Sequence, residues 1–224
     1  MSYIYWTADL HLSHNETIQY CNRPYRDWQH MNKSLIGNIN SRLTPSDILM
    51  HIGDYCFTNK WIRHKASYYE DQMHCTTVHI LGNHDRNNSV KGCIEYAIVR
   101  ICGKTAWVRH QPPGFEEFDS IPKDVDLIIC GHVHDAWKSK IAIYDKNKRI
   151  IPIINVGCDV WNYRPVRSDE LIAYYHKIMK DYKEIVKSKD NLLTDWKKGM
   201  EDFVNGAGHT FVQSISNVGK DEDR

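Results

Sequence analysis

Seven residues supply metal-type donors in five short polar motifs: Asp9-x-His11, Gly53-Asp54, Gly82-Asn83-His84-Asp85, His110 and Gly131-His132-x-His134. The donors are Asp9, His11, Asp54, Asn83, His110, His132 and His134, all carboxylate, amide oxygen or imidazole, with no thiolate. Such a set suits Mn²⁺, Fe, Ni²⁺, Co²⁺ or Zn²⁺ and disfavours copper(I) and iron–sulfur chemistry. Seven donors are too many for one ion and right for two, provided that one carboxylate bridges. Each motif alone is common in unrelated chains, and a lone His is more often a core residue than a ligand. The signal is the ordered set. His132 and His134, two apart, are expected to share one face of an extended segment.

The elements that must position these residues follow from the hydrophobic pattern. Tyr3 to Ala8, Asp47 to Ile52, Thr76 to Leu81, Thr105 to Arg109 and Leu127 to Cys130 read as strands, and each runs into one of the motifs. In α/β folds ligands gather beyond the carboxyl ends of strands, so the pattern points to one composite site. Residues 9–27 read as a loop. Met31, Leu35, Ile39 and Leu43 recur every four residues and predict an amphipathic helix stopping near Pro45. A second helix is predicted within Trp61 to Met73, and a third from Ser168 to about Val186. Gly103-Lys104 predicts a hairpin turn, and Asp145 to Lys148 a second one. Together these give a layered α/β domain. After Val186, Leu192, Leu193, Trp196, Met200 and Phe203 mark a short helix, and His209 to Ser214 a final strand.

Composition narrows the class. With 224 residues, 29 Lys+Arg against 28 Asp+Glu and 42% hydrophobic residues, the chain can bury a real core and is no disordered or coiled-coil sequence. The near-zero balance disfavours a general nucleic-acid coat, which would need a basic stripe. No apolar run reaches the roughly 20 residues of a membrane helix, and the N-terminus has no secretory pattern. The 7 cysteines include no C-x-x-C pair, so a cytoplasmic setting is expected.

The five motifs, in this order, resemble those of the calcineurin-like metallophosphoesterase superfamily, over residues 1 to about 165 with none missing. The resemblance implies a four-layer αββα sandwich, two mixed β-sheets flanked by helices; the domain is read as residues 1–186, with 187–224 as a C-terminal helical extension and tail. It implies two divalent ions, Mn²⁺ foremost, with Asp9, His11 and His134 on the first, Asn83, His110 and His132 on the second, and Asp54 bridging. His84 would face the substrate phosphate while metal-bound hydroxide attacks phosphorus in line. Asp85 is read as the cap of a following helix, ahead of orienting the His84 ring. The protein serine/threonine phosphatases of the superfamily carry G-D-x-x-D-R-G and G-N-H-E, which this chain lacks. The lipid-A-precursor pyrophosphatases have Arg at the position of His84, and the exonucleases add a capping domain. The small bacterial and phage members remain, sharing Asp9-x-His11-x-x-His14 and Asn155-Val156-Gly157.

The expected activity is therefore hydrolysis of a small phosphate ester, a phosphodiester slightly ahead of a phosphomonoester. A nuclease and a catalytically silent metal-binding scaffold are the alternatives. His14, Arg23 and Arg164 are candidate substrate contacts, although a loop-bracing salt bridge is the better reading of both arginines. The C-terminal extension would dock on the core or mediate a homo-oligomer.

Overall fold

The computed structural model describes residues 2–58, 64–144, 149–190 and 211–213. Its strands are β1 (Ile4–Thr7), β2 (Ile48–Ile52), β3 (Thr76–Ile80), β4 (Tyr96–Ile101), β5 (Lys104–Arg109), β6 (Leu127–Cys130), β7 (Ser139–Tyr144), β8 (Arg149–Asn155), β9 (Val166–Arg167) and β10 (Phe211–Gln213). The helices are α1 (Asn15–Tyr20), α2 (Trp28–Arg42), α3 (Ala66–Glu70) and α4 (Ser168–Asp190). Two mixed sheets result: a four-stranded one ordered β3-β2-β1-β9 and a six-stranded one ordered β10-β7-β8-β6-β5-β4. β1, β2 and β3 run parallel, as do β5, β6 and β8, so the carboxyl ends of the site-bearing strands converge.

Strand alternation sorts the side chains into layers. Trp6, Met50 and Ile52 from one sheet meet Ala106, Val108, Leu127, Ile129 and Ile154 from the other, and α4 adds Leu171, Ile172, Tyr175 and Ile178 to this inner core. The opposite faces of β1 and β2 turn Tyr5 and Leu49 outward under Met31, Leu35 and Ile39 of α2 and Ala66 and Tyr69 of α3. On the far side of the six-stranded sheet, Trp107, Ile128, Ala142 and Ile153 pack with Ile121 and Val125. The apolar spacing of α2 is thus explained by one buried face, and Asp27 caps its start by accepting from His30 N at 2.7 Å. The expected mixed α/β fold of two mixed sheets with helices is present; α2 and α3 form the layer outside the four-stranded sheet, and α4 packs into the inner core. Among the described residues no helix is long and apolar enough to cross a membrane.

The sequence-based expectations need several corrections. The 9–27 segment contains α1, a single turn and a half that no apolar period announces. The hairpin turn is Cys102-Gly103 rather than Gly103-Lys104, because Ile101 pairs with Lys104. Cys102 and Gly103 adopt φ of 45° and 82°, the positive pair that a tight two-residue turn between twisted strands demands. β9 is two residues long and has no sequence signature of its own. α4 runs four residues past Val186, to Asp190. The C-terminal strand falls at Phe211–Gln213, antiparallel to β7. The helix expected around Trp196 lies outside the described residues, as do the tip of the Asp145–Lys148 hairpin and the region around Trp61.

One core residue makes stability depend on pH. His51 on β2 is fully buried, with neither ring nitrogen hydrogen-bonded, edge-on to Tyr55 and His79 at ring separations of 5.0 and 5.5 Å. Burial, reinforced by His79 and His110, pushes its pKa well below the usual value. Below an unfolded pKa of about 6.5 the unfolded chain takes up a proton that the folded chain refuses, so stability falls as pH falls. The contribution is complete above that pH and declines by up to about 1.4 kcal/mol per pH unit beneath it. Urea unfolding of His51→Leu at pH 7 and pH 5 should show a shallower acid loss than the parent protein. An identical loss in both would remove His51 as a cause.

Candidate metal centre

The loops that follow β1 and β2 are zipped together by their backbones. Asp9 N donates to Gly53 O, His11 N to Asp54 O and Leu12 N to Tyr55 O, each at 3.0 Å. This ladder sets the two carboxylates and His11 side by side. Asp9, fully buried, accepts from His132 N through both oxygens at 3.0 and 2.9 Å, which ties in the loop after β6. The third loop arrives through Asp85, whose carboxylate accepts from Gly82 N, Asp54 N and Tyr55 N at 2.8, 2.9 and 2.8 Å. Asp85 was expected to cap a helix. Only a three-residue 3-10 turn follows it (Asp85–Asn87), and its duty is to bind two motif loops together.

Close packing explains two of the motif glycines. A Cβ on Gly53, at φ 84°, would run into the His110 ring, and one on Gly82 would run into Asp54. Five of the seven candidate ligand positions are left-handed although none is glycine: φ is 56° at Asp9, 47° at His11, 58° at Asp54, 72° at His132 and 47° at His134. This corrects the expectation of an extended His132–His134 segment. The two imidazoles enter different clusters.

One cluster joins Asp54, His110 and His132, and the other joins Asp9, His11 and His134, with candidate ligand atoms within 4.8 Å of one another in each. Asn83 belongs to the former: its Oδ1 stands 3.0 Å from His110 Nε2 and 3.0 Å from His132 Nδ1. Asp54 Oδ2 lies between the clusters, 3.3 Å from His110 Nε2 and 3.5 Å from His11 Nε2. Cys21 also lies near His134 and Asp159, but both Asp159 oxygens accept from Arg23, at 2.7 and 2.8 Å.

The charges of the group are strongly coupled. Burial raises the Asp9 carboxyl to about 6, against the pull of His110 and His134. Burial would also raise Asp54, but the hydrogen bond and charge of His110, with His11 and the His84 N–H, hold it well below the usual range. Burial opposes charge on His110, yet Asp54 and Asp9 push it up to about 9. Burial drives His11 well below its ordinary value despite Asp54.

His84 is half exposed, its backbone N donating to Asp54 Oδ1 at 2.9 Å and its Nε2 4.0 Å from Asp54 Oδ2. His14 sits at the rim, stacked on Phe57 at 4.4 Å, with Nδ1 2.7 Å from Thr17 Oγ1 and its ring 6.3 Å from that of His84. Arg23 does not face a ligand. It is buried, and its donors go to Asp159, to Asp9 O at 2.6 Å and to Leu10 O at 3.0 Å. Arg164 is exposed, and no hydrogen bond or ion pair within the described residues joins it to the constellation. Asp159 has no motif to announce it; its contacts with Arg23 and His134 span 136 and 25 residues.

The two mixed sheets and the paired donor groups give the layered α/β fold and the two candidate metal clusters expected from the sequence. No family model matches the chain. The uncharacterized protein MJ1445 of Methanocaldococcus jannaschii is 30% identical over 179 residues, which span 79% of this chain and 93% of that protein, and the chain belongs to its family. A protein of unknown function from Aquifex aeolicus, AQ665, shares the fold at 23% identity and a TM-score of 0.58, over 78% of this chain and 100% of that one. A novel archaeal phosphodiesterase aligns over 70% of this chain and 84% of its own, at 16% identity and a TM-score of 0.40.

Proposed function

We propose that this protein is a dinuclear metal-dependent phosphoesterase, acting on a small phosphodiester in preference to a phosphomonoester. The observation that carries the reading is the placement of Asp54 Oδ2 between His110 Nε2 and His11 Nε2, at 3.3 and 3.5 Å. Donors that share an ion with bonds of about 2.1 Å stand about 3 Å apart, and the 3.0 Å spacings around Asn83 Oδ1 match that. On the other side, His11 Nε2 is buried with no hydrogen-bond partner, a costly state that a cation would relieve. The residues therefore fit two cations: Asp9, His11 and His134 would hold one, Asn83, His110 and His132 the other, with Asp54 shared.

When bound, two divalent ions, Mn²⁺ foremost by the family resemblance, supply Lewis acidity toward phosphate oxygens and a nucleophile at neutral pH. The chain's own contribution is placement. The zipped loops hold the two carboxylates side by side, and the His110 Nδ1–H donated to Ile52 O at 2.8 Å fixes which nitrogen faces inward. His84, exposed at the mouth, would donate from Nε2 to a phosphate oxygen or protonate the leaving oxygen. The charge of two divalent ions outweighs the two carboxylates, so a chain of net charge +1 still presents a phosphate-attracting centre.

A panel of bis(p-nitrophenyl) phosphate, p-nitrophenyl phosphate, a 2′,3′-cyclic nucleotide and single-stranded DNA, assayed with Mn²⁺ and with EDTA, tests the reading. Metal-dependent cleavage of the first or third is expected. Cleavage of DNA alone would make the protein a nuclease. Turnover of none, with Mn²⁺, Ni²⁺, Co²⁺ or Zn²⁺ supplied and bound, would leave a metal-holding scaffold.

A further inference from the structure

We infer that Asp159, clamped by Arg23, is a positioning residue for His134 and makes the Asp9–His11–His134 cluster the tighter of the two metal positions. This rests on the dinuclear reading above. His134 Nδ1 donates to Asp159 Oδ2 at 3.2 Å, which leaves its Nε2 free for the cluster. The Asp159 side chain is 1% exposed and that of Arg23 0%, so the pair is sealed from solvent. Arg23 grips both Asp159 oxygens, at 2.7 and 2.8 Å, and with the same guanidinium holds Asp9 O and Leu10 O. One buried cation thus fixes the backbone between Asp9 and His11 and, through Asp159, the ring of His134. Asn155 Nδ2 adds a bond to His134 O at 2.8 Å.

The second cluster lacks this arrangement. His110 gives its Nδ1–H to the neutral carbonyl of Ile52, and His132 has Nδ1 beside Asn83. A carboxylate acceptor behind an imidazole strengthens the opposite nitrogen as a donor and locks the ring, typically worth 10–100-fold in metal affinity, about 10-fold at the least. A neutral carbonyl gives less. The two positions should therefore fill in order, the Asp9 side first.

Mn²⁺ titration calorimetry on paired backgrounds tests this. With His132→Ala, which breaks the second cluster, adding Asp159→Asn should weaken Mn²⁺ binding at least about tenfold. With His134→Ala, which breaks the first, the same substitution should change binding less than twofold. Equal weakening in both backgrounds would mean that Asp159 only supports the fold, and no weakening in either would mean that it does not act on His134; each overturns the inference. Asp159→Asn leaves Arg23 as an unpaired buried charge, so the pair Arg23→Gln with Asp159→Asn, which removes both charges, replaces it if circular dichroism shows the single variant unfolded. The same two-background comparison then decides. Unsubstituted protein that takes up fewer than two Mn²⁺ would overturn the dinuclear reading instead, a result visible before any Asp159 variant is made.

Discussion

Asp54→Asn is expected to release both ions and to lower turnover by about 10³-fold or more. The size follows from losing several kcal/mol of charge stabilisation, at 1.36 kcal/mol per tenfold. Asparagine keeps the shape of the side chain and can still accept the His84 N–H, now made to Asp54 Oδ1. What it loses is the anionic oxygen between His110 Nε2 and His11 Nε2. The backbone should not follow, because Asp54 N and Tyr55 N remain anchored to Asp85. The effect is thus electrostatic, and circular dichroism should be unchanged. Metal analysis after dialysis against low Mn²⁺ measures it. Loss of a single ion would refute the bridging role.

His84→Ala should separate chemistry from metal binding. A positioned general acid or charge-stabilising donor contributes about 10²–10⁴-fold, and kcat should fall by that order. Both ions should stay, since His84 meets Asp54 Oδ1 only through its backbone N, which alanine retains, and Asn88 Nδ2 holds its carbonyl at 2.7 Å. Metal content and kcat measured on one preparation are the check. A variant that lost an ion would show His84 to be a ligand and would remove it from the acid role.

Much of this arrangement was legible from one sequence because strand ends are punctuated. Apolar β-rich runs stop at Ala8, Ile52, Leu81, Arg109 and Cys130, and the residues that follow each stop do meet beyond two sheets. What the chain could not announce were features created by contact across it. A bracing salt bridge was the better reading of Arg23, but its partner Asp159, 136 residues away, and the loops that the pair braces are visible only in the fold. Asp85 gave no hint of serving three backbone N–H groups, since local spacing reports helix starts and not cross-loop bonds. The two His of Gly131-His132-x-His134 were read by the strand period of two, whereas their left-handed backbone sends them to different clusters. The turn at Cys102 was misplaced by one residue for a related reason: positive φ at a non-glycine is a tertiary outcome that propensity does not foresee.

On the proposed function, the left-handed backbone at the candidate ligands sets stability against activity. Each non-glycine residue held there costs the fold on the order of 1–2 kcal/mol that glycine would not. Selection for heat resistance alone, run without a requirement for turnover, would therefore be drawn to glycine at His11 and His132. It would harden the protein by erasing its chemistry. Any programme that evolves this domain needs a catalytic screen running beside the thermal one.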